Sequence, residues 1–388
     1  MPGFVAGKSA LERLIAPTGI LLTDSESDYV AQQGPAILVR NPGFYGRVLR
    51  SKNLGFAESY MDGWCDLKRI DEIYSRAHDA ALQRKLRLPL AHALDNLLAQ
   101  LLNRQTPARA RRDTNAHYDL GNEMFALFLS DVPLYTCGYW HRDGMTLEEA
   151  NRAAFDLTCR KLELKPGMEL IDVGCGWGAL LEHAAKHYGV TGLGVNISEP
   201  QLEACRARCK GLPVEFLLQD CRLLDRRRLA ERFDTISAVA MINHIGPKNY
   251  HQFFETMHAV LRDRGLFLLQ GIANRERMYR NDPFMDKYIF PGGVAPSMAQ
   301  LLEPADRYFT LEDFQNFTSY YPRTLRAWNA NFQRNWQRIR ALGFDERFRR
   351  MWEIFLLSAA GTCQAREVII FQAVFSKGRR DRVYSAQR

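Results

Sequence analysis

The stretch MELIDVGCGWG, residues 168–178, decides how this chain folds. Its first half is a short apolar run of strand length, and its second half places Gly174, Gly176 and Gly178 where a helix, GALLEHAAKHYG, is about to begin. Glycines let a backbone turn tightly and approach a ligand closely, and the helix start offers free N–H groups. Outward from it the pattern repeats. TGLGVNIS (191–198), PVEFLLQD (213–220), FDTISAVAM (233–241), GLFLLQGI (265–272) and EVIIFQAVFS (367–376) read as strands. EPQLEACRARCKG and PKNYHQFFETMHAVLR (247–262) read as helices between them. Apolar runs separated by helices predict a parallel sheet covered on both faces, a doubly wound α/β domain. In such a sheet the ligand crevice lies at the carboxyl ends of the strands. A dinucleotide enzyme would show G-x-G-x-x-G and an acidic residue ending the second strand. Here the loop is G-C-G-W-G and that strand ends in Asn196, which argues against nicotinamide.

The rest of the chain bounds the answer. Its 388 residues allow one large or two modest domains, and 25% charged with 46% hydrophobic residues excludes disordered or collagen-like chains. No apolar run approaches the roughly 20 residues of a membrane helix, and the first residues lack a secretory signal's apolar stretch, so a cytoplasmic location is expected. Eight cysteines are too few for a disulfide scaffold, and Cys205 with Cys209 lacks a second pair to make a zinc set. The 52 Lys and Arg exceed the 44 Asp and Glu by +8. The arginine clusters at 104–112 and 222–232 carry no interleaved stacking aromatics, which excludes a single-strand nucleic-acid binder. A solvated basic surface or an anionic membrane partner remain. The chain is expected to divide into an N-terminal domain (1–103, helical over 72–103), a basic connector (104–112) and a second domain (113–388). Phe284, Met285, Tyr288, Ile289 and Phe290 suggest either an apolar lid over a long chain or a core hairpin. FDERFRRMWEIF (344–355) predicts an amphipathic helix, packed on the sheet or docked on anionic lipid.

The motif DVGCGWG resembles the first motif of class I S-adenosylmethionine (SAM) methyltransferases. HYDLGNEMF (117–125), YTCGYW (135–140), LKPGMELIDVGCGWG (164–178), ISEPQ (197–201), LLQDCR (217–222), GPKNY (246–250) and DKYIFPGG (286–293) narrow the resemblance to the cyclopropane fatty acid synthase family. NPGFYGRVLR and LGFAESYMDGW (54–64) resemble the small, mostly helical N-terminal domain of its bacterial members. The resemblance implies the seven-stranded methyltransferase sheet and SAM-dependent methylation of double bonds in the unsaturated acyl chains of membrane phospholipids. It also implies a homodimer, peripherally attached to an anionic membrane. By resemblance SAM lies across Asp172, Gly174, Gly176 and Gly178. Tyr135 and Thr136 lie at its methionine end, Asn196 and Gln201 near the ribose, and Gln219 and Asp220 beside the adenine. A helix cap or a loop ion pair is the ordinary alternative for the last two.

An alkene is a weak nucleophile, so the methyl group must be held in line with it, and the cation that forms suits aromatic faces. A base then takes a proton from the new methyl carbon to close the ring. The resemblance implies a bound bicarbonate as that base, caged by Cys, Glu, His and Tyr side chains and a backbone amide. Cys137, Tyr321 and the Ile272 backbone match, and His244 is kept. Asn243 stands for the Glu and Gln270 for the His. These amides can hydrogen-bond an anion but cannot ionise. Either bicarbonate is retained in a rearranged cage, or it is lost and the product becomes a methyl-branched or methylene chain. A small non-lipid acceptor and a non-catalytic lipid-binding relative are the rival readings.

Overall fold

The computed structural model describes residues 2–82, 102–118 and 120–388. The chain falls into two compact units. The first is Met1–Leu98 together with Asp282–Ile289 and Leu325–Glu367; the second is Ala99–Asn281, Phe290–Thr324 and Val368–Arg388.

In the first unit β1 (Leu21–Thr23), β2 (Ala36–Val39) and β3 (Cys65–Lys68) form a small sheet, β2 running parallel to β1 and antiparallel to β3. Every residue of β2 is buried, as its AILV sequence dictates. Helices Gly43–Met61, Ile70–Asp79 and Glu346–Gln364 are among the helices of the unit. The last of these is the amphipathic helix read at 344–355. Its apolar face (Met351, Trp352, Ile354, Phe355) meets the first unit's helices, and the expectation that it packs on the large sheet is corrected. Gly361 permits the approach, because a Cβ there would stand 2.2 Å from the Asp71 carbonyl oxygen. Arg350 pairs with Asp66 at 2.9 Å and Arg326 with Asp71 at 2.6 Å. Asp282–Ile289, the first part of the expected lid, also belongs here, with Phe284 and Ile289 buried. Of the helix read over 72–103, the part at 83–101 lies outside the described residues.

The second unit carries a seven-stranded sheet: β4 (Glu169–Val173), β5 (Thr191–Asn196), β6 (Val214–Leu218), β7 (Phe233–Val239), β8 (Leu261–Asn274), β9 (Thr310–Asn316) and β10 (Val368–Ser376). Their order is β6-β5-β4-β7-β8-β10-β9. This is the class I methyltransferase sheet, with its switch point between β4 and β7. Neighbours from β6 to β8 are parallel, whereas β10 is antiparallel to both β8 and β9, so the sheet is mixed rather than wholly parallel. The strand β9 is absent from the sequence reading because TLEDFQN has no apolar run. It is an edge strand, with Leu311 and Phe314 exposed. Under the sheet Phe253, Phe254, Phe267, Phe309 and Phe375 interlock, their ring centroids 5.2–6.4 Å apart. Within the expected connector, Pro107 opens a helix that runs to Tyr118, and Gln105 and Ala110 are buried.

Candidate active site

Every candidate on a strand lies at one edge of this sheet. The Gly174–Gly178 loop leaves β4, Asn196 ends β5, and Gln219 and Asp220 follow β6. Asn243 and His244 follow β7 in the turn Ile242–His244, and Gln270 and Ile272 lie on β8. The chain doubles back here because Gly174, Gly176 and Gly178 all take positive φ (78°, 54° and 76°), which L side chains adopt only with strain. A Cβ on Gly176 would enter open space, while one on Gly174 would stand 2.7 Å from Met241 Cβ. The backbone N–H of Gly174 donates to Val195 O (2.8 Å), tying the loop to β5.

Asn196 ties the glycine loop to the helix that follows β5. Its Nδ2 donates to Gly176 O (3.2 Å) and Gln201 Oε1 (2.9 Å), and its Oδ1 accepts from the Ile197 and Ser198 N–H groups. Gln201 thereby spends its oxygen, and its buried Nε2 has no partner among the described residues. A buried donor without a partner costs roughly 1–3 kcal/mol, which a hydroxyl-bearing ligand would recover. An open glycine cradle beside that orphaned donor fits SAM. Asp220 caps the turn Cys221–Leu223 and pairs with the buried Arg222 at 2.6 Å. Gln219 turns its Nε2 to Leu223 O (2.6 Å). Asp172, buried on β4, accepts from the Ser237 hydroxyl on β7 (2.7 Å). Burial pushes its carboxyl up to about 7, against the lowering effect of that hydrogen bond.

Tyr135, Thr136 and Cys137 stand in the loop before the helix Leu147–Lys161. The Tyr135 ring packs against Phe125 (5.4 Å), Phe128 (5.9 Å) and Phe290 (6.3 Å), and Phe290 meets His244 (5.9 Å). Burial lowers the His244 imidazole to about 4, opposed weakly by Asp113, so the ring is neutral at physiological pH. Cys137 is fully buried, its thiol donating to Gly138 O (3.3 Å) and Phe317 O (3.7 Å). Tyr321 opens the helix Tyr321–Arg334, a few residues past the end of β9.

The two amides bind the chain itself. Asn243 Nδ2 donates to Ile272 O (2.7 Å) and Val294 O (3.0 Å), and Asn243 Oδ1 accepts from the Ile272 N–H (3.1 Å). Gln270 Nε2 donates to Thr136 Oγ1 (3.1 Å), and Gln270 Oε1 accepts from Gln372 Nε2 (2.8 Å). Gln372 on β10 lies directly opposite Gln270 and reaches Thr158 Oγ1 (3.5 Å). Sequence reading missed Gln372 and Ser237. The signal was a polar side chain inside each apolar run, VIIFQAVFS and FDTISAVAM, where only a hydrogen-bonded group survives burial. Replacing Asn243 by Asp sets an oxygen against two carbonyls. Asn243→Asp is expected to cost about 2 kcal/mol at pH 7 in urea unfolding, and less at pH 4, where the acid regains a proton to donate.

Residues 105–373 match the mycolic acid cyclopropane synthetase family. The cyclopropane-fatty-acyl-phospholipid synthase of Escherichia coli is 41% identical over 342 residues, 88% of each chain. The structure of mycolic acid cyclopropane synthase CmaA1 complexed with SAH and CTAB superposes with a TM-score of 0.64 at 32% identity, covering 69% of this chain and 98% of that one. Coclaurine N-methyltransferase shares the fold (TM-score 0.67, 21% identity, covering 83% of this chain and 98% of its own).

Proposed function

Because the chain belongs to the mycolic acid cyclopropane synthetase family, we propose that it is a methyltransferase of the cyclopropane-fatty-acyl-phospholipid synthase kind, acting on double bonds in the unsaturated acyl chains of membrane phospholipids. The observation that carries this reading is 41% identity to the Escherichia coli synthase across 88% of both chains, which takes in the N-terminal segment as well as the methyltransferase sheet.

SAM supplies an electrophilic methyl group when bound. The chain's own residues do the rest. Gly174 and Gly176 would let the backbone come close to the cofactor, and Gln201, steadied by Asn196, would offer its unpartnered Nε2 to a ribose hydroxyl. Asp172 stiffens the loop's root through Ser237. The rings of Tyr135, Phe125, Phe128 and Phe290 form an apolar wall whose faces suit both a hydrocarbon chain and the positive charge that grows on it. Such a wall also keeps water from capturing that charge.

No helix among the described residues is long and apolar enough to cross a membrane. The net charge of +8 supports attachment to an anionic surface, which salt would weaken. The test is purified protein with SAM and vesicles of unsaturated phosphatidylglycerol, read by mass spectrometry of the acyl chains. One added carbon on the unsaturated chains, with saturated vesicles unchanged, is the expected result. No lipid product from any unsaturated vesicle would sink the acyl-chain reading.

A further inference from the structure

Resting on that reading, we infer that this chain transfers methyl groups without bicarbonate, the alkene π pair forming the new C–C bond as the methyl–sulfur bond breaks and the resulting cation giving up one proton to solvent water, because the cleft expected to cage the anion is closed by the protein's own amides. An oxyanion taken out of water needs hydrogen-bond donors or a nearby cation to replace its hydration. Four of the donors expected of this cleft are already committed. The Ile272 N–H goes to Asn243 Oδ1, and both hydrogens of Asn243 Nδ2 go to carbonyl oxygens. The Cys137 thiol faces backbone carbonyls. Gln270 bridges Thr136 and Gln372, which fixes its nitrogen toward Thr136.

The arrangement also explains why position 243 is an amide here. Two carbonyl oxygens, Ile272 O and Val294 O, converge on it, and the Val294 N–H donates to the Asn243 carbonyl (2.8 Å). A carboxylate has no hydrogen to give them and would be repelled by both, whereas Asn serves two acceptors and one donor at once. Position 270 is matched in the same way, since its amide donates to one neighbour and accepts from Gln372, which lies fully buried opposite it. The substitutions are thus coupled to partners on three segments, at 136, 294 and 372, that hold the cleft shut. His244, being neutral, offers no positive charge to offset an anion there.

Two arms test this on the intact protein. In the first, carbon-13 bicarbonate is titrated onto protein loaded with S-adenosylhomocysteine, and line broadening is followed by NMR, which needs no turnover. Broadening that does not saturate is expected; saturable broadening overturns the inference. In the second, release of S-adenosylhomocysteine from SAM on unsaturated phosphatidylglycerol vesicles is compared in carbon-dioxide-stripped and bicarbonate-supplemented buffer. A change of less than about twofold is expected, and severalfold stimulation overturns it. If neither buffer supports turnover, the acyl-chain reading has failed, and the NMR arm still decides whether the cleft takes the anion.

Discussion

Gly174→Val should abolish useful SAM binding while leaving the protein folded. The branched side chain would place its Cβ 2.7 Å from Met241 Cβ, and φ of 78° strains any residue with a side chain. Overpacking costs roughly 1–3 kcal/mol and the left-handed conformation about 1–2 kcal/mol. The loop relieves both by shifting away from β7, and so gives up its approach to the cofactor. Calorimetric titration with S-adenosylhomocysteine is expected to show affinity lower by on the order of 100-fold or more. Gly176→Ala is the informative comparison. Its Cβ meets no protein atom within 4 Å, so it carries the strain of a positive φ without the clash, and the further loss in Gly174→Val reports the clash with Met241. Equal binding by wild type and Gly174→Val would show that this loop does not cradle SAM.

Asp172→Asn should stabilise the cofactor-free protein, and increasingly so as pH rises. The folded chain holds the Asp172 proton up to about 7, whereas the unfolded chain loses it near 3.8. Between those values the folded state binds the extra proton, so wild-type stability declines with rising pH and stays reduced above 7. Three units correspond to roughly 4 kcal/mol at pH 8, shrinking towards zero at pH 4. Asn keeps an oxygen for the Ser237 hydroxyl and escapes the cost of ionisation. Urea midpoints of the two proteins at pH 4.5 and pH 8 check this. A difference that does not widen with pH would mean that Asp172 is ionised in the folded chain throughout.

Six of the seven large-sheet strands were legible because each is an apolar run between a turn and a helix, and burial on both faces demands that pattern. The seventh, TLEDFQN, was not, since an edge strand satisfies half its backbone with water and tolerates charge. The reversed direction of β10 was invisible for another reason: hydrophobic runs carry no sign of their direction. At the site, the glycine loop and Asn196 announced themselves through spacing. The commitments of Asn243 and Gln270 did not, because their partners Val294 and Gln372 lie about 50 and 100 residues away, Gln372 meeting Gln270 through sheet register and Val294 meeting Asn243 from a segment outside the strands.

The first unit is written into the chain in three instalments. Its opening segment leaves the ribosome long before Leu325–Glu367, the stretch that supplies the partners of Asp66, Asp71 and Tyr60. At roughly 5–20 residues per second, the intervening chain takes on the order of ten seconds or more to translate. During that interval the helix Ile70–Asp79 lacks the Glu346–Gln364 helix that packs against it. The glycine loop and its strands β4–β8 emerge meanwhile, so the cofactor crevice is complete in sequence while the older part of the protein still waits for its last helix. Cutting the gene at the apparent boundary near residue 103 would therefore yield two unfinished pieces, one short of a helix and the other carrying a helix that has lost its neighbours.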